Sequence, residues 1–478
     1  MFCLLRLFCA VRRGGDLIDE VIPMVDMMKD MRPSVIDNLC NNFEDHNLIQ
    51  PKMFSKYAVK RGLRNADGTG VLAGITCVSN VHGYMVNEGE VEPIEGRLTY
   101  RGHNLYDLLD GFDAEDRFGF PETAYLLLCG ALPTQEQLDD FTEMLADACS
   151  LPDNFTEDVI MRAPSRDIMN KLAVSTLALY SYDPNPDDTS LQNIVRQAVN
   201  LIAKFPVIIS HAYQSKRRYY DNASMFLHMP DRNYTTAENI LSLIRPDGMF
   251  TREEAMLLDR CLIIHAEHGG GNNSAFATRV VSSSATDTYS AIAAAIGSLK
   301  GPRHGGANLR VCKQFDEMKA NISNWEDEDE VLDYLCKIMR KEAGDGSGLI
   351  YGMGHAVYTL SDPRAVALKN TARPLAAQKG FEREFNLIEL TERLAPEAFY
   401  RVRGEHKIMC ANVDMYSGLV YEMLGIPQEM YTPLFATARI VGWLAHRIEE
   451  VTTGGKIIRP AYKPIISRSS YIPIAERG

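Results

Sequence analysis

Thr251-Arg-Glu-Glu-Ala-Met-Leu-Leu-Asp-Arg-Cys-Leu-Ile-Ile-His-Ala-Glu-His-Gly-Gly-Gly-Asn-Asn-Ser274 joins a helix signal to a loop signal. Thr251 and Glu254 make a capping box, in which each side chain can satisfy the other residue's backbone N–H. The helix it predicts runs towards His265. Gly269, Gly270 and Gly271 then predict a turn that tolerates unusual dihedrals and lets a ligand reach the main chain. His265 and His268 are three apart and share a face if the helix continues. Imidazole and glycine are paired again in Gly301-Pro-Arg-His-Gly-Gly-Ala-Asn308 and in Gly352-Met-Gly-His-Ala-Val-Tyr358. Four of the eleven histidines thus lie at glycine-rich turns, the layout of a site built from loops on a rigid scaffold.

Working outward, helix signals dominate. Thr134 and Gln137 repeat the capping box ahead of the apolar stripe Leu138, Phe141, Leu145 and Ala148. Residues 326–344 begin with acids and end with Lys337, Arg340 and Lys341, an order that complements the helix dipole, with Gly344 as the expected stop. Residues 291–299 read as a small-residue helix suited to close packing. Strand signals are confined to residues 97–100 and the stretch around 71–78. The fold class predicted is mostly α.

The 478 residues suffice for a large core and favour two domains. A hydrophobic content of 46% and a charged content of 24% are those of an ordinary globular chain. A net charge of −13 excludes a general nucleic-acid binder, so anionic ligands would need a few local arginines. The ten cysteines are scattered with no CxxC, which fits a reducing compartment and argues against a thiolate zinc site. No run approaches the roughly 20 apolar residues of a membrane span. Residues 1–13, MFCLLRLFCAVRR, are apolar, basic and free of acids, as a targeting peptide would be. Against that, Arg6 interrupts the run, serine is absent and no small-residue cleavage site follows; Met24 and Met27 are alternative starts. The expectation is a cytoplasmic protein.

Several side chains are candidates for chemistry. His304 and His355, framed by glycine, suit hydrogen-bond donation to a developing oxyanion or proton delivery. The competing account of each is a solvated loop histidine, and of His265 a helix end. No HExxH pattern supports a metal, and none is expected. In Asp362-Pro-Arg364 the aspartate reads as an N-cap and the proline as the first helical residue. A first-turn arginine is disfavoured by the dipole and is better used as a carboxylate clamp. Arg439 is a lone charge in the apolar Phe435-Ala-Thr-Ala-Arg-Ile-Val-Gly-Trp443, and Arg459 is similarly isolated. Asp414, in Asn412-Val-Asp-Met-Tyr-Ser-Gly418, reads equally as an N-cap or as a desolvated general base.

Taken together, HAEHGGGNNS, GPRHGGAN, GMGHAVY with DPR, and NVDMYSG stand in the order and approximate spacing of the citrate synthases, which the chain resembles from about residue 96 to residue 460. The resemblance implies condensation of acetyl-CoA with oxaloacetate and hydrolysis of citryl-CoA, with acetyl-CoA as substrate and no cofactor or metal. It implies Asp414 as the base, His304 as hydrogen-bond donor to the thioester oxygen, and His355 as the group that polarises the oxaloacetate carbonyl. His268, Arg364, Arg439 and Arg459 then match the carboxylate binders, the last acting across a homodimer. Gly352 and Gly354 fall in the 349–355 loop, whose backbone would meet CoA. Thr359 departs from the basic residue many relatives carry there, and Met353 from an aromatic or small one.

The resemblance also implies a large helical domain and a smaller one closing over a cleft. On this reading residues 1–60 are an extension, residues 61–308 and 416–478 the large domain, and residues 309–415 the small one. A 2-methylcitrate synthase using propionyl-CoA shares every motif. A non-catalytic paralogue that binds carboxylates and CoA is the alternative from another class, and a metal-dependent hydrolase finds little support.

Overall fold

The computed structural model describes residues 33–477 apart from residues 48, 66, 67 and 89; residues 1–13 and the alternative starts lie outside them. Arg64–Pro460 form one compact unit, and the described residues among Met1–Leu63 and Ala461–Gly478 form the other. In the latter, helices α1 (Pro33–His46) and α2 (Pro51–Lys56) bury no residue.

The larger unit opens with an antiparallel sheet, β1 (Ser79–Asn87), β2 (Glu90–Tyr100) and β3 (His103–Asn104), in that order. Helices follow: α3 (Leu105–Ala114), α4 (Phe120–Cys129), α5 (Gln135–Ala148), α6 (Ile168–Leu179), α7 (Leu191–Tyr220), α8 (Thr236–Ile244) and α9 (Arg252–His265). Then come α10 (Asn273–Ser282), α11 (Thr288–Lys300), α12 (Ala307–Asn321), α13 (Glu328–Arg340) and α14 (Pro363–Lys379). The last three are α15 (Glu382–Arg403), α16 (Asp414–Met423) and α17 (Tyr431–Thr452). The molecule is mostly α, as its sequence predicts.

Helix α17 is apolar nearly all round, which is the pattern of a helix buried on every side. It packs against α4, α7, α9, α10 and α11 and carries the buried Arg439, Trp443, His446 and Arg447. A second group, in which α12 and α14 pack on α16 and α13 on α15, carries the remaining site segments.

The capping boxes form as read. Thr134 and Gln137 exchange bonds of 3.3 and 2.9 Å at the start of α5, and Thr251 and Glu254 bonds of 3.3 and 3.1 Å at the start of α9. Two expectations fail. Helix α13 stops at Arg340, where Lys341 itself takes the left-handed conformation at φ 67°, and Gly344 lies in the turn beyond. Residues 71–76 form no strand: Leu72 and Ile75 are exposed without a ladder partner, and pairing begins at Ser79.

The sheet matters because it grips a loop of the site. Its register shifts between His82 and Tyr84, and Gly96 donates its N–H to Ser361 Oγ. A Cβ on Gly96 would lie 2.1 Å from the Ser361 carbonyl oxygen, and one on Gly83 2.7 Å from that of Val357. Both obstacles are backbone, so neither yields cheaply. Gly96→Ala is expected to destabilise the fold by about 1–3 kcal/mol, read as a lower denaturant midpoint at unchanged slope. An unshifted midpoint would show that the loop does not need this close approach.

Candidate active site

Helix α9 ends at His265, and the Tyr100 hydroxyl locks its last turn by donating to the Ile263 carbonyl at 2.9 Å. The chain then leaves the helix, so His268 stands in the following loop rather than on a shared helical face. His268 is buried, and its Nε2 has no hydrogen-bond partner among the described residues. Glu267 anchors this loop, accepting from Ser79 Oγ and His446 Nε2, each at 2.9 Å.

His304 lies in the turn between α11 and α12, its Nε2 3.0 Å from Ser274 Oγ. That hydroxyl also takes the Trp443 indole N–H at 3.0 Å and lies 2.9 Å from Asn272 Oδ1. The serine's single proton serves either Asn272 Oδ1 or His304 Nε2; given to His304 it leaves Nδ1 as the N–H, and Nδ1 makes no hydrogen bond to a described residue. The Phe435 ring packs edge-on against His265 and His304, with centroids 4.8 and 6.5 Å away.

The third imidazole is set by backbone. Gly352 and Gly354 have φ of 86° and 88°, which favours glycine. They flank an isolated bridge between Met353 and Ala411: Gly354 N–H donates to the Cys410 carbonyl at 2.8 Å, and Asn412 N–H to that of Gly352 at 2.9 Å. Their backbone groups are therefore largely engaged within the protein. His355 Nδ1 accepts the N–H groups of Val357 and Tyr358, each at 3.1 Å, so Nδ1 carries no proton. The neutral ring is then the Nε2–H tautomer, a donor. It stacks on Tyr358 at 4.7 Å and meets the edge of His268 at 5.0 Å.

Two buried arginines face this group. Asp362 caps α14 through Arg364 N–H at 3.0 Å and holds the same residue's Nε and Nη2 at 3.1 and 2.8 Å. Arg439, fully buried on α17, gives Nε to the His265 carbonyl at 2.7 Å and lies over the Phe435 ring, while Nη1 and Nη2 make no hydrogen bond to a described residue. Burial lowers its pKa to about 10.

Asp414 is the first residue of α16 and does not cap it, which removes the N-cap reading; its own N–H is held by Asn412 Oδ1 at 3.0 Å. Its carboxylate makes no hydrogen bond to a described residue. Desolvation raises its pKa to about 6 against the pull of Arg364 and Arg439. Arg459 is exposed beyond α17 and joins no contact of the cluster within the chain. Sequence reading passed over Glu267, Ser274, Phe435, Trp443 and His446; Glu267 and Ser274 stand inside the quoted motif, while the others make their contacts from a distant helix.

Burial, with the nearby arginines, keeps the imidazoles neutral: His265 is lowered to about 3, His304 and His355 to about 4, and His268 well below its usual value. Unfolded imidazoles take up protons near pH 6.5. Between that value and the folded ones the unfolded chain binds more protons. Stability is therefore whole above about pH 6.5 and declines as pH falls. Asp414, at about 6, and Asp259, raised by burial to about 7, act oppositely and lose stability as pH rises. Four depressed histidines outweigh two raised carboxylates, so the thermal midpoint should fall between about pH 6 and 4.5. A flat or rising midpoint on acidification over that range would contradict neutral imidazoles.

Residues 68–461 match the family model described as "Citrate synthase, C-terminal domain". The chain is 32% identical to the citrate synthase of a Synechocystis species over 391 residues, 81% of this chain and 90% of that protein. It is equally 32% identical to 2-methylcitrate synthase 1 of Corynebacterium glutamicum over 426 residues, 88% and 98% of the two chains. Among solved structures it superposes on the citrate synthase of Pyrobaculum aerophilum with a TM-score of 0.70 at 28% identity, covering 85% and 94%. The Thermoplasma acidophilum citrate synthase, solved as a ternary complex with carboxymethyl coenzyme A and oxaloacetate, gives 0.71 at 26% identity, covering 88% and 99%.

Proposed function

The chain belongs to the citrate synthase family, and we propose that it condenses acetyl-CoA with oxaloacetate and hydrolyses citryl-CoA to citrate and CoA. The observation that carries this reading is Arg439: a fully buried guanidinium whose two Nη groups make no hydrogen bond to a described residue, surrounded by neutral imidazoles. Such a fork suits a carboxylate, bound bidentately.

Asp414 takes a proton from the acetyl methyl group. Its pKa of about 6 leaves it ionised at neutral pH while keeping it a competent base. His304 donates to the thioester oxygen as that oxygen gains charge, and a donor of this kind is typically worth about 2.7–4 kcal/mol. His355 Nε2–H polarises the ketone of oxaloacetate, whose carbon takes the new bond and whose oxygen takes a proton. His268, Arg364 and Arg439 hold the carboxylates. Water then attacks the thioester of citryl-CoA and CoA leaves as the thiol. No cofactor or metal enters this scheme; acetyl-CoA is a substrate.

Further parts of the reading are an assembly of two copies, with exposed Arg459 completing the clamp of the other copy, and a cytoplasmic setting. Residues 309–415 would move as the smaller domain over residues 61–308 and 416–478, excluding water while the enolate exists. Gly352 and Gly354 shape the loop proposed to meet CoA, contributing its turn more than free N–H groups.

The test is CoA release from purified protein with oxaloacetate, comparing acetyl-CoA and propionyl-CoA. Faster turnover of acetyl-CoA is expected; no release with either would sink the enzymatic reading and leave the binding paralogue. A second reading, 2-methylcitrate synthase, is favoured by the equal identity to such a relative. One methylene is worth only about 1–3 kcal/mol, so a propionyl-CoA preference would change the substrate and keep the mechanism.

A further inference from the structure

Glu267 lies between His265 and His268 and is fully buried. Its carboxylate is divided. Oε1 accepts from His446 Nε2, Ser79 Oγ and the Gly269 N–H, whereas Oε2 has no hydrogen-bond partner among the described residues. The protonation of His446 follows from its neighbours. Its Nδ1 is 2.8 Å from Nη2 of Arg279, a group that only donates, so Nδ1 accepts and Nε2 bears the proton given to Glu267. Arg279 is itself held by Glu449 and Glu450, from the same helix as His446.

Oε2 of Glu267 rests against α17 at Gly442, where a Cβ would come within 2.1 Å of it. Gly442 is three residues after Arg439 and four before His446, so it stands about one helical turn from each. Glu267 is also the anion acting most strongly on Arg439. Yet Oε2 and both Nη groups lack hydrogen-bond partners among the described residues. Opposite charges that are buried close together ordinarily join, because each is costly alone. Here the anion is drawn away by Oε1 towards His446, and the notch at Gly442 receives the other oxygen.

We propose that Glu267 and His446 are positioning residues: Glu267 is the counter-charge that offsets the cost of burying the Arg439 guanidinium in the core, and His446 restrains Glu267 from closing on the guanidinium fork. The inference rests on the reading of Arg439 as a binder of an oxaloacetate carboxylate. It gives the unpartnered fork a cause in the fold itself.

Titrating oxaloacetate calorimetrically into the full-length protein and its variants tests it. His446→Leu frees Glu267 to pair with Arg439, so the dissociation constant should rise about tenfold. His446→Gln, whose amide nitrogen stands the same number of bonds from Cα as Nε2, should restore most of the affinity. Glu267→Gln removes the anion and should bind oxaloacetate more tightly, with a lower melting temperature for the free protein and a larger rise on adding ligand. Glu267→Gln combined with His446→Leu should bind better than His446→Leu alone. A double variant weaker than the single one, or Glu267→Gln weakened alongside His446→Leu, would show that the pair merely holds the loop and would overturn the inference. Should His446→Leu not fold, the Glu267→Gln titration decides alone. Wild-type protein that fails to bind oxaloacetate would overturn the reading of Arg439 and this inference with it, whereas normal wild-type binding with the wrong variant pattern overturns only the latter.

Discussion

Asp414→Asn is expected to leave a folded protein that releases CoA at least about a hundredfold, and up to about ten thousandfold, more slowly than wild type. The substitution changes almost nothing except the base. The Asp414 carboxylate makes no hydrogen bond to a described residue, and the contact at this position is its backbone N–H to Asn412 Oδ1, which asparagine keeps. An amide of the same shape fits the start of α16 but cannot take the methyl proton. Stability should not suffer. The folded pKa is raised to about 6 by desolvation, so at pH 8 the ionised carboxylate is a burden that the amide lacks. By linkage, a raised carboxylate contributes stability in acid and loses it as pH rises through the folded value. At pH 8 the variant should therefore melt at the same temperature as wild type or higher. Wild-type kcat/KM should climb with pH through about 6 as Asp414 ionises. A variant that keeps more than about a tenth of wild-type turnover would remove Asp414 from the role of base.

How much of this was legible beforehand depended on the range of the interaction. The starts of α5 and α9 are local, each written in two residues three apart, and both appear where read. The glycine frames of His304 and His355 are local too, and they locate the loops that carry the imidazoles. Errors came where two local signals competed. At Lys341 a non-glycine residue ended α13 early, because the left-handed position fell before Gly344. Around residues 71–78 apolar composition resembled a strand, but a strand needs a partner, and the ladder of β1 starts only at Ser79. The two accounts of Asp414 differed by a single position along the helix, which no pattern resolves. Contacts between Glu267 and His446, or between Ser274 and Trp443, join residues more than 160 apart, and nothing in the local sequence marks them.

Asp362→Ala is expected to have the larger consequence for stability, about 3–5 kcal/mol, the cost typical of leaving one member of a buried ion pair alone. Asp362 does two things with one carboxylate. It accepts the backbone N–H of Arg364 and so caps α14, and it holds the guanidinium of that residue through Nε and Nη2. Loss of the cap alone ordinarily costs about 0.5–2 kcal/mol. The remainder comes from Arg364, which is buried and would keep its charge with no partner at hand. This explains why a cation tolerates the first turn of α14, where the helix dipole opposes it: the capping carboxylate neutralises it at 2.8 Å. Asp362→Asn separates the two roles, since the amide oxygen can still cap while the charge is gone; it should fall between wild type and Asp362→Ala in a urea melt. Combining Asp362→Ala with Arg364→Met removes both charges and should recover part of the loss, as apolar replacement of a whole buried pair does. That double variant would stay unable to clamp a carboxylate, so recovered stability without recovered oxaloacetate binding is the expected pattern. If instead Asp362→Ala costs no more than a lost cap, Arg364 does not depend on Asp362 for its charge, and the buried pair is a capping contact only.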